Sequence, residues 1–242
     1  MFTDPNSTIV VSETENDKPF QPFVPSTASR KISLRSKGSM RGSYVDVRTG
    51  RQITYESRIE KDVALNLMTL PGLIRLEDQP AAIPYIDIEG TTRSHTFDFK
   101  VHLADGRRIM VVVKDQKHAE KKNIARFLTH LAPQIPKSIA DGVILYTEAM
   151  LSPAACHNAR LIQTARRIRD AAADATVAEV VAQIQGQIRI GEIVRATRMD
   201  GAGFHAVVRL IARRRLTLIA DDRIGYGTFV AVVPGHTEEV AR

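Results

Sequence analysis

The chain has 242 residues, 43% hydrophobic and 25% charged, with a formal net charge of +7. That length accommodates two compact domains, or one domain with a long tail. No apolar run reaches the roughly 20 residues that span a bilayer, and the polar, acidic stretch Met1–Asn16 does not read as a secretory signal. The single cysteine, Cys156, excludes an internal disulfide and a cysteine-based zinc site. A cytoplasmic protein without membrane contact is the expectation.

Residues 1–40 are rich in Ser, Thr, Asn and Pro and lack a long periodicity, so they are expected to form a disordered basic arm. Arg30, Lys31, Arg35 and Lys37 give it a positive stretch without an acid among them. Gly42–Val47 and Arg51–Tyr55 read as short strands around Arg48-Thr49-Gly50, a hairpin. From Glu56 to Leu70, apolar residues recur at helical spacing until Pro71-Gly72 stops them.

Strands are predicted over Ile83–Ile88, over Ser94–Leu103 and over Arg108–Val113. Asp105-Gly106 makes a hairpin turn between the last two. A helix over His118–Leu131 ends at Pro133, and Gly142–Tyr146 is a further strand. The reading is an α/β core of order helix, three strands, helix, strand, spanning residues 41–152. From Pro153 a helix runs to about Ala173. Helices over Thr176–Gln185, Gly191–Thr197 and Gly203–Arg214 follow, then two strands around Asp221–Gly227. Residues 153–242 therefore read as a linker helix and a winged-helix domain.

Positive and negative side chains balance between Glu56 and Ala155, and the excess lies in the flanks. Every cation after Lys137 is arginine, the residue suited to two-pronged phosphate contacts. Basic flanks around a neutral core point to double-stranded DNA as partner. In the C-terminal domain Arg209, Arg213, Arg214 and Arg215 are the candidate contacts, on or just after a recognition helix.

The chemistry-bearing residues lie in order along the core. Glu56 and Glu60 open the first helix, Asp98 sits between two phenylalanines in a strand, and Lys114 ends the apolar strand Ile109–Val113. Strand alternation puts Phe97 and Phe99 on one face and Asp98 on the other, near Val112 or Lys114 of the paired strand. It also puts His102 on the face of Asp98 and His95 opposite. A mid-strand acid among aromatics is costly without a partner. Acids on a helix and a strand, with a lysine ending the next strand, suit phosphodiester cleavage assisted by a divalent cation.

Gly42-Ser43-Tyr44, Tyr55-Glu56-Ser57-Arg58-Ile59-Glu60, Asp78-Gln79-Pro80, Phe97-Asp98-Phe99 and Val113-Lys114 together resemble the PD-(D/E)XK nucleases. The likeness is closer still to the catalytic domain of the TnsA transposon endonucleases, and it spans about residues 40–150. The resemblance implies a restriction-endonuclease-like fold with an α-βββ-α-β core and a helical, winged-helix-like C-terminal domain. It implies Glu60, Asp98 and Lys114 as catalytic residues, and Mg²⁺ or Mn²⁺ held by Asp98, Glu60 and the backbone carbonyl of Val113. It further implies a role in DNA transposition beside a separate transposase subunit and an ATPase regulator.

Two residues depart from the family pattern. Phe97 stands where a proline is expected, and Val112 stands where an acid or Gln would complete the metal site. The alternative reading is therefore a catalytically degenerate nuclease fold that serves as a DNA-binding regulator or assembly subunit.

Overall fold

The computed structural model describes residues 22–29 and 40–234. It is a mixed α/β chain in two bodies joined by one long helix. The first body opens with the antiparallel hairpin of β1 (Gly42–Asp46) and β2 (Arg51–Tyr55), as the sequence suggests. Asp46 is buried and holds Arg48 at 2.8 Å, which ties the hairpin turn back onto its own strand. Helix α1 runs over Arg58–Leu67 with Ser57 as its N-cap. Glu56 thus lies before the helix rather than on its first turn.

The sheet that follows contains a strand the sequence reading missed. β3 (Leu73–Asp78) pairs antiparallel with β6 (Phe99–Leu103), β6 with β7 (Arg108–Val113), and β7 runs parallel to β8 (Gly142–Tyr146). β3 is an edge strand, where alternating charge is tolerated. Its Glu77 faces Lys100 across the ladder, which hides the strand from an apolar-pattern reading. β4 (Ile83–Ile86) and β5 (Thr92–His95) form a separate two-stranded hairpin. The expected single strand over Ser94–Leu103 is therefore two strands, broken at Thr96–Asp98. The parallel step from β7 to β8 is made by α2 (Gln116–Lys121) and α3 (Ile124–Leu131), the crossover that a parallel pair requires.

Each sheet face buries its own cluster. Against α1 lie Leu76, Phe99, Val101, Val111 and Val113. Against α3 lie Phe97, Met110 and Val112, with Leu128 and Leu131. Phe97 and Phe99 thus enter opposite cores, contrary to the alternation expected for an unbroken strand.

Helix α4 (Pro153–Arg167) belongs to both bodies. Its Ala159 packs in the α1 cluster, while Ile162 and Ala165 pack in the core of the second body. Arg160 bridges Asp62 at 2.6 Å, and Arg166 donates to the Met68 carbonyl at 2.7 Å. The helix ends earlier than expected, because Asp170 caps α5 (Ala171–Ala182) by accepting the Ala173 N–H. Thr176, where that helix was expected to start, sits inside α5 and donates its hydroxyl to the Ala172 carbonyl.

The order then is β9 (Gln187–Arg189), α6 (Ile190–Thr197), α7 (Asp200–Ala212), β10 (Leu216–Leu218) and β11 (Phe229–Val232). β11 is central, antiparallel to both β10 and β9. β9 is only three residues long, below what periodicity detects. Among the described residues no helix is long and apolar enough to cross a membrane.

Residues 22–29, expected within the arm, run along the first body. Val24 bridges Arg51, and Ser29 donates its N–H to the Gln79 carbonyl at 2.9 Å. Arg30, Lys31, Arg35 and Lys37 lie outside the described residues.

Candidate functional site

Three of the residues selected from sequence converge where α1 begins and where β6 and β7 meet. Asp98 occupies the bend that starts β6. Its N–H donates to the Val111 carbonyl at 3.0 Å, and its carbonyl accepts the Gln79 N–H at 2.9 Å. The chain thereby turns the Asp98 side chain back along β7, where Oδ2 accepts the Val113 N–H at 2.6 Å. Lys114 Nζ lies 3.7 Å from the same oxygen.

Glu60 is anchored by the helix cap. Ser57 Oγ accepts the Glu60 N–H, and the Glu60 carboxylate accepts the Glu56 N–H at 2.7 Å and the Ser57 hydroxyl at 3.1 Å. This is a variant of the Ser-x-x-Glu capping box in which the acid reaches the N–H one residue before the cap. Burial pushes the Glu60 carboxyl above its ordinary range, and the nearby Asp98 carboxylate adds to the rise. The hydrogen bonds from Glu56 and Ser57 and the Lys114 ammonium act the other way. Asp98 and Lys114 both act on Glu60 through space, which places the three charges in one neighbourhood.

Sequence reasoning gave no role to the residues that hold this neighbourhood together. Asp78 is fully buried. It accepts the Thr54 N–H at 2.8 Å and the Ser26 hydroxyl at 2.6 Å, with the Thr54 hydroxyl also in contact. Gln79 follows in the left-handed region, at φ 39°. From there its backbone N–H meets Asp98 and its side chain donates to Glu56 at 3.2 Å. The Asp78-Gln79-Pro80 motif is thus a clamp between β2, β3 and the start of β6. Its signal in the sequence was a single acid and amide before a proline, with no periodicity to explain them.

His102 stays opposite Phe99 on β6, but His95 leaves its expected place. His102 bonds Glu77 at 2.9 Å on the outer strand pair. His95, on β5, has a buried Nε2 without a hydrogen-bond partner and stands edge-on to Phe97 and Phe127. Burial, then the positive charge of Lys114, holds its imidazole below the ordinary range. The strand break at Thr96–Asp98 resets the alternation, so His95 is the histidine close enough to feel Lys114.

Val112 is 1% exposed and lies in the apolar cluster on the α3 face. At the position where the sequence resemblance expects an acid or Gln, the chain has a hydrocarbon side chain. Asp98 Oδ2 is engaged by an N–H and an ammonium, and the Glu60 carboxylate is engaged by the helix cap. No group of three or more His, Cys, Asp or Glu is placed to hold a metal among the described residues. Magnesium usually takes one or two carboxylates and completes its octahedron with water; here the two nearby carboxylates, Asp98 and Glu60, are both already engaged within the protein.

The basic residues chosen in the second body divide. Arg209 is buried, 3% exposed. It pairs with Asp174 at 2.6 Å and donates to the carbonyls of Ala165 and Ile168. Arg209 is therefore a corner clamp between α4, α5 and α7 and does not face a ligand. Arg213 is exposed and shares Asp174 at 3.1 Å, Arg214 is exposed, and Arg215 is half-buried. Gly203, Ala206, Val207, Val208, Arg209 and Leu210 of α7 are all buried. Only Asp200, Gly201 and Ala202 of that helix are exposed, so α7 offers no basic stripe for reading a groove.

No protein-family model matches the chain, and a search of curated proteins finds no match to it.

Proposed function

We propose that this chain is a DNA-binding protein built on a degenerate nuclease core, acting as a regulator or assembly subunit rather than as a cutting enzyme. The observation that carries the reading is Val112. It is buried among apolar residues beside a cluster that keeps Glu60, Asp98 and Lys114. The restriction-endonuclease-like assignment is supported by the helix and the mixed four-stranded sheet that bring those residues together. The winged-helix-like assignment of the second body is supported by its order: helix, strand, two helices, then two strands that join the first strand in one sheet. A place beside a transposase subunit and an ATPase regulator in mobile-element movement is part of the same proposal, on the resemblance alone.

Retention of the Asp98–Lys114 pair favours a second reading, residual endonuclease activity. Labelled duplex DNA incubated with the protein over a range of Mg²⁺ and Mn²⁺ separates the two. Binding without nicking is expected. Nicking that disappears in both Asp98→Ala and Lys114→Ala would establish the second reading. Absence of any salt-sensitive duplex binding would reject both.

A further inference from the structure

The junction of the two bodies forms a groove of about 540 Å³ whose wall includes Arg58, Arg160, Arg223, His157, Asp62 and Glu148. Its two acids already have partners. Asp62 is bridged by Arg160 at 2.6 Å, and Glu148 accepts the Gln116 N–H at 2.9 Å. Arg58 and Arg223 are exposed, and no ion pair joins either to an acid among the described residues.

Both arginines are held in place from the backbone. Arg58 is the first residue of α1, directly after the Ser57 cap. Arg223 sits on the loop between β10 and β11, which Asn158 of α4 grips on both sides. Asn158 donates to the Asp222 carbonyl at 2.9 Å and accepts the Ile224 N–H at 2.8 Å. Helices α1 and α4 both start at this groove, so their positive dipole ends add to the arginines.

The contact from Glu148 to Gln116 joins the groove to α2, which begins one residue beyond Lys114 and its neighbour Asp115. On α2 and the start of α3, Lys117, Lys121, Lys122 and Arg126 are all exposed, and no ion pair joins them to acids among the described residues. Exposed cations therefore flank the Glu148–Gln116 contact on both sides, Arg58 and Arg223 in the groove and the lysines of α2 beyond Lys114, in a strip that also carries the exposed acids Asp115, Glu120, Asp221 and Asp222.

We infer that this strip is the track of the nucleic-acid phosphate backbone across the protein. Arg58 and Arg223 take one run of phosphates in the groove between the bodies, and the α2 and α3 cations take the next. The inference rests on the DNA-binding reading above and gives it a surface, in place of the α7 arginines that the sequence suggested. Such contacts hold a duplex by its charge and carry no base readout.

The test uses the full chain and three charge-neutral double variants, all of exposed side chains: R58Q with R223Q, K117Q with K121Q, and R213Q with R214Q. Duplex affinity is measured by fluorescence anisotropy across a salt series, after matched thermal melts establish folding. Each of the first two variants should bind roughly tenfold more weakly, and its log–log salt slope should fall by about two, since each phosphate contact contributes about 0.9. The third should match the wild type.

Wild-type affinity in either of the first two variants, or a loss confined to the third, overturns the strip while leaving DNA binding intact. A wild type that ignores duplex DNA overturns both. Inorganic phosphate in a parallel melt identifies the ligand source. A phosphate-dependent stabilisation lost in R58Q with R223Q, in a protein that ignores duplex, would assign the groove to a small phosphate compound and overturn the backbone track.

Discussion

The two bodies use buried polar groups in opposite ways. In the first, Asp78, Gln79 and the partly buried Glu60 and Asp98 are knitted to one another and to backbone N–H groups, so that acids and a lysine are presented at one end of the sheet. In the second, the buried charge is Arg209, whose donors satisfy carbonyls left where α4 gives way to α5. Buried charge in one body therefore builds a site, and in the other it closes a corner between helices. An arginine-rich segment is no guide to a binding face until burial is known, because the forked guanidinium that suits phosphate also suits a cluster of carbonyls.

The largest effect that sharpens this contrast is expected at Val112. Val112→Glu places a carboxylate at a position 1% exposed among Met110, Phe97 and Leu128. Fully buried carboxyls rise by several pKa units, and each unit costs about 1.4 kcal/mol. A loss of about 4 kcal/mol is expected in urea denaturation without metal. The result that breaks the contrast is a variant whose melting temperature climbs with Mn²⁺ while the wild type's does not. The new carboxylate would then have joined Asp98, and the site would need one substitution to hold metal.

Next comes the corner of the second body. Arg209→Met should cost about 3 kcal/mol, because it removes the donor to the Ala165 and Ile168 carbonyls at a buried corner and leaves Asp174 with the exposed Arg213 alone. Arg214→Ala, on an exposed residue, should stay within about 0.5 kcal/mol of the wild type. Equal effects at the two positions in equilibrium denaturation would remove the distinction between a clamp and a surface arginine.

A smaller cost, about 2 kcal/mol, is expected for Asp78→Ala, which orphans the Thr54 N–H. It should also loosen Gln79 and hence the backbone contact to Asp98. Amide exchange at Gln79 faster than the global loss of stability would support the clamp. Exchange that merely follows global stability would reduce Asp78 to an ordinary buried acid.

Much of the first body was legible because strong local signals agree with the tertiary structure. The hairpin around Gly50, the Asp105-Gly106 turn with Gly106 at φ 85°, and the apolar run of β7 each need only neighbouring residues to form. What was not legible depends on partners distant in sequence. β3 is a strand because β6 pairs with it. The break at Thr96–Asp98 exists because Gln79 and Val113 hold Asp98 in a bend, and that break puts Phe97 and His95 on the face opposite Phe99, while His102 stays where alternation within β6 places it. Glu60, Asp98 and Lys114 stand out by chain order, and Asp78-Gln79-Pro80 stands in the same order, but its role as a clamp depends on contacts with Thr54 and Asp98 that the sequence does not show. In the second body the helices were legible from periodicity, but the burial of Arg209 was not. Its partners lie 35 to 44 residues away along the chain.

The smallest effect tests whether Glu60 is held for its charge or for its shape. Burial and the Asp98 carboxylate hold its folded pKa above the ordinary 4.5. For an acid with a raised folded pKa, the folded state binds the proton more tightly than the unfolded state. Stability from this group is therefore greatest below the unfolded value, declines as pH rises through the window up to the folded pKa, and stays low above it. Glu60→Gln keeps an oxygen able to accept the Glu56 N–H, since Gln serves equally in this cap, and it removes the charge. At neutral pH the variant should be as stable as the wild type or more stable by less than about 1 kcal/mol. The gain should shrink as pH falls through that window and vanish below pH 4.5. Urea midpoints of the two proteins across this range give the difference directly. A variant less stable than the wild type at neutral pH would mean that the Glu60 carboxylate gains more from Ser57, Glu56 and Lys114 than it loses by burial, and the acid would then be part of the first body's framework.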